Sequence, residues 1–215
     1  MDEEFSRSMS KSPKSDRPKI PQNASLKQLE LAAKDCRACD LWQYATQTVF
    51  GEGAHHAKIM LVGEQPGNQE DLEGKPFVGP AGKLLDEALI AAGIDRKEVY
   101  VTNAVKHFKW EPRGKRRIHK KPNAKEIAAC RPWLEAEIAA LKPAIIVCLG
   151  ATAAQSLLGH DFHVTQHRGK FLKSPFAPIV MATVHPSSIL RVSDERSRHE
   201  QMQSFIADLK KIPRQ

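Results

Sequence analysis

The chain has no apolar run approaching the length of a membrane span, which excludes a transmembrane helix. Met1-Asp2-Glu3-Glu4 lacks the basic start and apolar core of a secretory signal, so a cytosolic protein is expected. There is no internal repeat. There is no P-loop either: Gly79-x-x-Gly82-Lys83 has the wrong spacing, and Leu84 stands where a Ser or Thr would bind the metal. The zinc motif H-E-x-x-H is also missing, because His199-Glu200 is followed by Gln203. Net charge is nearly absent outside one segment. The formal charge is +8, but residues 105–122 hold eight basic residues (Lys106, Lys109, Arg113, Lys115, Arg116, Arg117, Lys120, Lys121) against Glu111 alone. One face that meets a polyanion is the expectation, with nucleic acid the natural candidate.

These absences leave 215 residues, 24.0 kDa and 41% hydrophobic residues, enough for one domain with a sizeable core. Residues 1–24 are polar and rich in Ser and Pro, and read as a disordered basic tail. Ser25 caps a first helix. Ile59-Met60-Leu61-Val62, Val99-Tyr100-Val101, Ala144 to Leu149 and Pro178 to Val184 read as buried strands. Helical patterns separate them: residues 83–92 ended by Gly93, a helix capped by Asn123 and stopped by Pro143, residues 151–158, and a closing helix over about residues 193–211. This alternation predicts an α/β domain over residues 25–215, a three-layer α/β/α sandwich on a central four-stranded parallel sheet.

The stretch from Gly63-Glu64-Gln65-Pro66-Gly67-Asn68 through Asp71 to Lys75-Pro76-Phe77-Val78-Gly79-Pro80-Ala81-Gly82 follows the first strand. It is long for a plain connection, and ligands of open α/β sheets sit beyond the carboxyl ends of the strands. Gly63 and Gly67 let backbone approach a ligand, and helix N-termini there present free N–H groups. Two more strand ends deliver Asn103 and His185 to the same edge. Together with Gln65 and the aromatic Phe77 they suit a flat polar heterocycle, stacked on the ring and read by an amide. Taken singly, Phe77 also fits a core position, Asn103 a cap, and His185 a structural role.

Four cysteines are present: Cys36 and Cys39 in a CxxC, then Cys130 and Cys148. A redox pair, a four-cysteine zinc site and a [4Fe–4S] cluster all remain open on spacing, and the first leaves two cysteines without a role.

The stretch from Gly63 to Gly82 resembles the first active-site motif of the uracil-DNA glycosylase superfamily, in its iron–sulfur, family 4-like branch. Further matches run from Cys36 to Arg191. The resemblance implies a [4Fe–4S] cluster on Cys36, Cys39, Cys130 and Cys148, with a structural role or, alternatively, a redox-sensing one. It implies that Phe77 stacks on uracil, that Asn103 reads its edge, and that His185 bonds the oxygen that gains charge as the base leaves. His185-Pro186-Ser187-Ser188-Ile189-Leu190-Arg191 is similar to the second signature, which grips phosphate, so Ser187 and Arg191 join the substrate contacts. In the first loop, the resemblance implies that Glu64 and Gln65 are catalytic and that Gly63, Gly67 and Asn68 contact the substrate. Asn68 stands where an acid is expected, so Gln65 and Asp71 are the candidates for activating water. Lys115-Arg116-Arg117-Ile118-His119 looks like the insertion that marks the UdgX type. There the residue matching His119 attacks C1′ of the sugar, and Arg117 falls among the DNA contacts. A phosphate-gripping loop in which His119 is incidental is the alternative. The expectation is a monomer that excises uracil from DNA, preferring single strands, and captures the abasic sugar. A turnover glycosylase and a non-catalytic iron–sulfur DNA-binding module are the competing readings.

Overall fold

The computed structural model describes residues 17–213; most of the expected tail, residues 1–16, lies outside the described residues. Ile20 and Ala24 already pack against buried side chains, so order begins ahead of the Ser25 cap. In chain order the elements are α1 (Leu26–Ala33), β1 (Glu52–Gly53), β2 (Ile59–Gly63), α2 (Asn68–Glu73), α3 (Pro80–Ala92), β3 (Val99–Asn103), β4 (Trp110–Arg113), β5 (Arg116–His119) and α4 (Ala124–Leu141). Then follow β6 (Ile145–Leu149), α5 (Ala151–Leu158), α6 (Val164–His167), β7 (Phe171–Leu172), β8 (Ile179–Thr183), α7 (Pro186–Leu190) and α8 (Glu195–Lys210).

The main sheet has six strands rather than four, in the order β1-β3-β2-β6-β8-β7. Its four inner strands are the expected ones and run parallel. The additions are antiparallel edges of two residues each, too short to show any period. The inner strands are mainly apolar because both faces are covered, with buried Thr102 and Asn103 only at the end of β3 and Thr183 at the end of β8. Leu61, Val101, Val147 and Met181 point to α3 and α8, where they meet Leu85, Leu89, Phe205 and Leu209. Met60, Tyr100, Ile146 and Val180 point the other way, to Leu134 and Ile138 of α4 and Ala153 and Ala154 of α5. A third cluster joins α1 to α4 through Leu29, Ala33, Cys130 and Trp133.

Helix ends follow local chemistry. Ser25 with Gln28, and Asn123 with Glu126, form capping boxes, and Gly93 closes α3 in the left-handed region at φ 74°. From β2 the chain moves outward to β3, then returns past β2 to β6. The order therefore reverses at β2, and the crevice beyond its carboxyl end is the expected ligand position. The basic segment is a separate hairpin, β4 and β5, turned through Gly114 (φ 58°) and Lys115.

Candidate active site

A cleft of about 1050 Å³ opens at that crevice, lined among others by Glu64, Gln65, Phe77, Asn103, His119 and His185. Four helix N-terminal turns border it: Asn68 of α2, Pro80 of α3, Thr152 of α5 and Ser187 of α7. The unoccupied N–H groups among them make the cleft favourable to negative charge; at α7, Ser187 N–H is taken by His185 Nδ1 and Ser188 N–H by the His185 carbonyl.

Gly63 and Asn103 are register partners at the ends of β2 and β3. A Cβ on Gly63 would meet Asn103 Oδ1 at 2.3 Å and Phe77 Cζ at 2.7 Å, so glycine is what lets amide and ring close over the strand end. Phe77 itself sits at φ 58°, a conformation rare for a bulky residue. Gly82 makes room for it, since a Cβ there would lie 1.6 Å from the Phe77 carbonyl oxygen. The Phe77 and His185 rings stack, with centroids 6.0 Å apart and planes 28° from parallel. Phe77, His185 and Asn103 thus line one cleft, with an aromatic ring and an amide side by side.

The His185 tautomer follows from its neighbours. Ser187 N–H donates to Nδ1 at 3.1 Å, and Ser187 Oγ, which accepts from Arg191, lies 2.8 Å from the same nitrogen. Nδ1 is thus an acceptor, and the neutral ring carries its proton on Nε2. Burial, with smaller contributions from Arg191 and His119, brings the His185 pKa down to about 4 against the pull of Glu64.

His119 ends β5, opposite Trp110, and its half-exposed ring reaches the cleft with Nε2 3.3 Å from Glu64 Oε1. Thr152 Oγ1 donates to Glu64 Oε2 in a short hydrogen bond. Burial works to raise the Glu64 pKa, but bonds from His119 and Thr152 outweigh it and hold the carboxyl below its ordinary value.

Several expected roles change. Asp71 is fully buried and outside the cleft lining; its carboxylate accepts from Thr46 N–H (2.9 and 3.1 Å) and Arg117 (2.6 Å). It has no access to a sugar. Arg117 donates also to Asn68 Oδ1 (2.7 Å) and lies over Phe108 and Trp110, so it ties the hairpin to α2. Gln65 lines the cleft, but its amide clasps both hairpin ends: Nε2 donates to the carbonyls of Lys109 and Lys120, and Oε1 accepts from Lys109 N–H, all at 3.1 Å. Of the eight basic residues, Lys106 is buried against Glu137, Lys109 pairs with Glu126, Arg117 with Asp71 and Lys120 with Glu111. Arg113, Lys115, Arg116 and Lys121 have no acidic partner among the described residues.

The cysteines also divide. Cys36, Cys39 and Cys130 share one margin of the fold with Trp133, whose indole N–H donates to Cys36 Sγ at 3.1 Å, while Lys106 N–H donates to Cys130 Sγ at 3.2 Å. Burial pushes the Cys130 thiol up to about 12, and Cys39 and Cys36 push it the same way. Cys148 lies in mid-sheet between Val62 and Ala182, and burial alone raises it to about 12. It does not join the other three, a correction to the four-cysteine set. Among the described residues no three Cys, His, Asp or Glu side chains are grouped as a single-ion site. The residue that sequence reasoning missed here is His107. Its Nε2 is 2.9 Å from Thr48 Oγ1, which donates to the same Ala33 carbonyl that accepts from Cys36 N–H. Thr152 and the buried Lys106–Glu137 pair were missed as well; Lys106 Nζ donates to Asn103 O at 2.7 Å and so braces the amide-bearing strand end. A polar residue one turn past a strand end was the signal for Thr152.

Fold and site together define a member of the uracil DNA glycosylase superfamily, which the chain matches over residues 50–210; the chain belongs to that superfamily. It is similar to the type-4 uracil-DNA glycosylase of Sulfurisphaera tokodaii, 40% identical over 77% of this chain and 76% of that one. The type-4 enzyme of Archaeoglobus fulgidus is 37% identical over 82% and 86%, and that of Thermotoga maritima 39% over 80% and 90%. Among the described residues no helix is long and apolar enough to cross a membrane.

Proposed function

We propose that the protein excises uracil from DNA by breaking the N-glycosidic bond and then captures C1′ of the sugar through His119. The type-4 relatives support the first step, and the placement of His119 at the mouth of the cleft supports the second. Uracil stacks on Phe77 and pairs its imide edge with the Asn103 amide. As the C1′–N1 bond breaks, its electron pair leaves with the base, and charge gathers on the uracil oxygen. His185 Nε2–H and the N-terminal turn of α5 are donors suited to that charge. The sugar becomes a cation of the oxocarbenium kind.

His119 supplies the nucleophile. The ionised Glu64 carboxylate can only accept, so the nitrogen facing it, Nε2, carries the ring proton and Nδ1 keeps its lone pair. That lone pair forms the new bond to C1′, and the ring becomes cationic beside Glu64. Asp71 takes no part, and Gln65 and Arg117 hold the hairpin that carries His119. Arg113, Lys115, Arg116 and Lys121, without an acidic partner among the described residues, and Arg191, which donates to Ser187 Oγ, are the cations assigned to phosphate.

Cys36, Cys39 and Cys130 would hold a [4Fe–4S] cluster, and we assign His107 as its fourth ligand. Thr48 donates to Ala33 O, so His107 Nε2–H donates to Thr48 and Nδ1 is free; burial lowers its pKa to about 4 and keeps it neutral. The cluster would fasten the N-terminal segment to α4.

The observation that carries capture is the contact of His119 with Glu64 inside the same cleft as His185. Mixing the protein with a uracil-containing single strand and running a denaturing gel tests it. A shifted band that survives denaturant is expected. Alkali-labile DNA without such a band would mean turnover excision, and neither would mean a binding module.

A further inference from the structure

The geometry points to Thr152 as a positioning residue for the capture step, the third member of a Thr152–Glu64–His119 chain. This rests on the reading of His119 as nucleophile and deepens it. Thr152 is the second residue of α5, 2% exposed, and its hydroxyl is directed at Glu64. Its O–H donates to Glu64 Oε2, leaving Oε1 to face His119 Nε2 at 3.3 Å. The two carboxylate oxygens are thereby distinguished: one is anchored to a buried helix terminus, the other is aimed at the imidazole.

The anchor matters because the partners differ in rigidity. His119 lies on an exposed hairpin strand and its side chain is 49% exposed, whereas α5 is fixed to the sheet by Ala153, Ala154 and Leu157. Glu64 follows β2 directly, and its carbonyl accepts from Val105 N–H at 3.0 Å, so its backbone is fixed too. What remains free is rotation of its carboxylate, and the Thr152 hydroxyl removes it. A carboxylate so held fixes both the direction and the tautomer of the His119 ring, with the Nδ1 lone pair left open. In the step itself the Nδ1 pair forms the N–C1′ bond, no proton moves at Glu64, and the carboxylate balances the new ring charge. This is the logic by which a third group orients a base or nucleophile in catalytic triads.

The chemistry at C1′ has two outcomes, capture by His119 or attack by water. Their ratio reads orientation and is insensitive to how fast uracil leaves. Uracil released and adduct formed are to be counted in one reaction for wild type, Thr152→Val and Thr152→Ser. Valine keeps the shape and deletes the donor; serine restores it. We expect the adduct yield per uracil released to fall about tenfold in Thr152→Val, the effect of one hydrogen bond to a charged group, and Thr152→Ser to recover most of it. An unchanged ratio in Thr152→Val overturns the proposal, and so does equal loss in both variants together with a lowered melting temperature. If wild type itself makes no adduct, the functional reading fails, and nitrogen-15 NMR of the DNA-free protein still decides the positioning. His119 should sit in the Nε2–H tautomer in wild type and become mixed in Thr152→Val. The same tautomer population in both proteins refutes it.

Discussion

The proton on His185 Nε2 is set by its own helix: Ser187 N–H occupies Nδ1, and burial keeps the ring neutral. This has a measurable cost in acid. The pKa is about 4 in the folded chain and near 6.5 when unfolded, so the unfolded state binds more protons between these values. Stability is therefore full above pH 6.5 and declines as pH falls toward 4, by up to about 1.4 kcal/mol per pH unit from this residue. His107, also lowered to about 4 by burial, adds a slope of the same sign. Denaturant midpoints measured from pH 7 to 4.5 should show both, and His185→Asn should remove the His185 share and leave that of His107. An equal slope in the variant would show that His185 does not contribute. Gly63 is the other residue-scale test. With no room for a Cβ between Asn103 Oδ1 and Phe77, Gly63→Ala must push one of them aside. Uracil release should fall about a hundredfold, as for an ångström of misplacement, with an unchanged circular dichroism spectrum. Near-normal release would mean that these two groups do not form the base pocket. The residue scale also shows what sequence cannot convey. Asp71 and Asn68 are neighbours on α2, yet Asp71 faces Thr46 and Arg117 and is kept out of the cleft, a matter of tertiary burial. Cysteine spacing likewise says nothing of distance, and Cys148 faces the mid-sheet core instead of Cys130.

Among the elements, β2, β3, β6 and β8 were legible because strands buried on both faces are unbroken apolar runs, and α4 because Asn123 and Glu126 announce its start. α2 was not. Asn-Gln-Glu-Asp-Leu-Glu contains one apolar residue, Leu72, which is exposed, so no helical period exists to be read. The β4–β5 hairpin was seen as charge and not as structure, since its basic residues mask alternation; Gly114-Lys115 was the available turn signal. The hairpin now divides the charges into structural and free. Removing Lys115 and Arg116 should weaken DNA binding and reduce the salt slope by about one unit for each phosphate that is no longer neutralised. Arg117→Ala should leave the slope nearly unchanged and lower capture, because it frees the hairpin from α2. Anisotropy titrations across salt concentration separate the two, and equal slopes for wild type and the Lys115/Arg116 variant would put the hairpin tip away from DNA.

For the whole molecule, the N-terminal segment, α1 and α4 form one margin around three cysteines, and the cleft opens at the carboxyl edge of the sheet. Lys106 belongs to both, through its N–H on Cys130 and its ammonium on the Asn103 carbonyl. Iron and sulfide analysis checks the cluster assignment: Cys148→Ala should retain both, whereas Cys36→Ala, Cys39→Ala or Cys130→Ala should lose them. Loss of iron in Cys148→Ala, or zinc in the wild type, would contradict it. The central claim concerns His119, and the mass of the product tests it most directly. After reaction with a uracil-containing oligonucleotide, the denatured species should weigh the protein plus the oligonucleotide less one uracil, since capture adds no water. Fragmentation should place the sugar on His119, and His119→Ala should give free abasic DNA and unmodified protein. Unmodified wild-type protein alongside released uracil, or an adduct mapped to another residue, would contradict capture by His119.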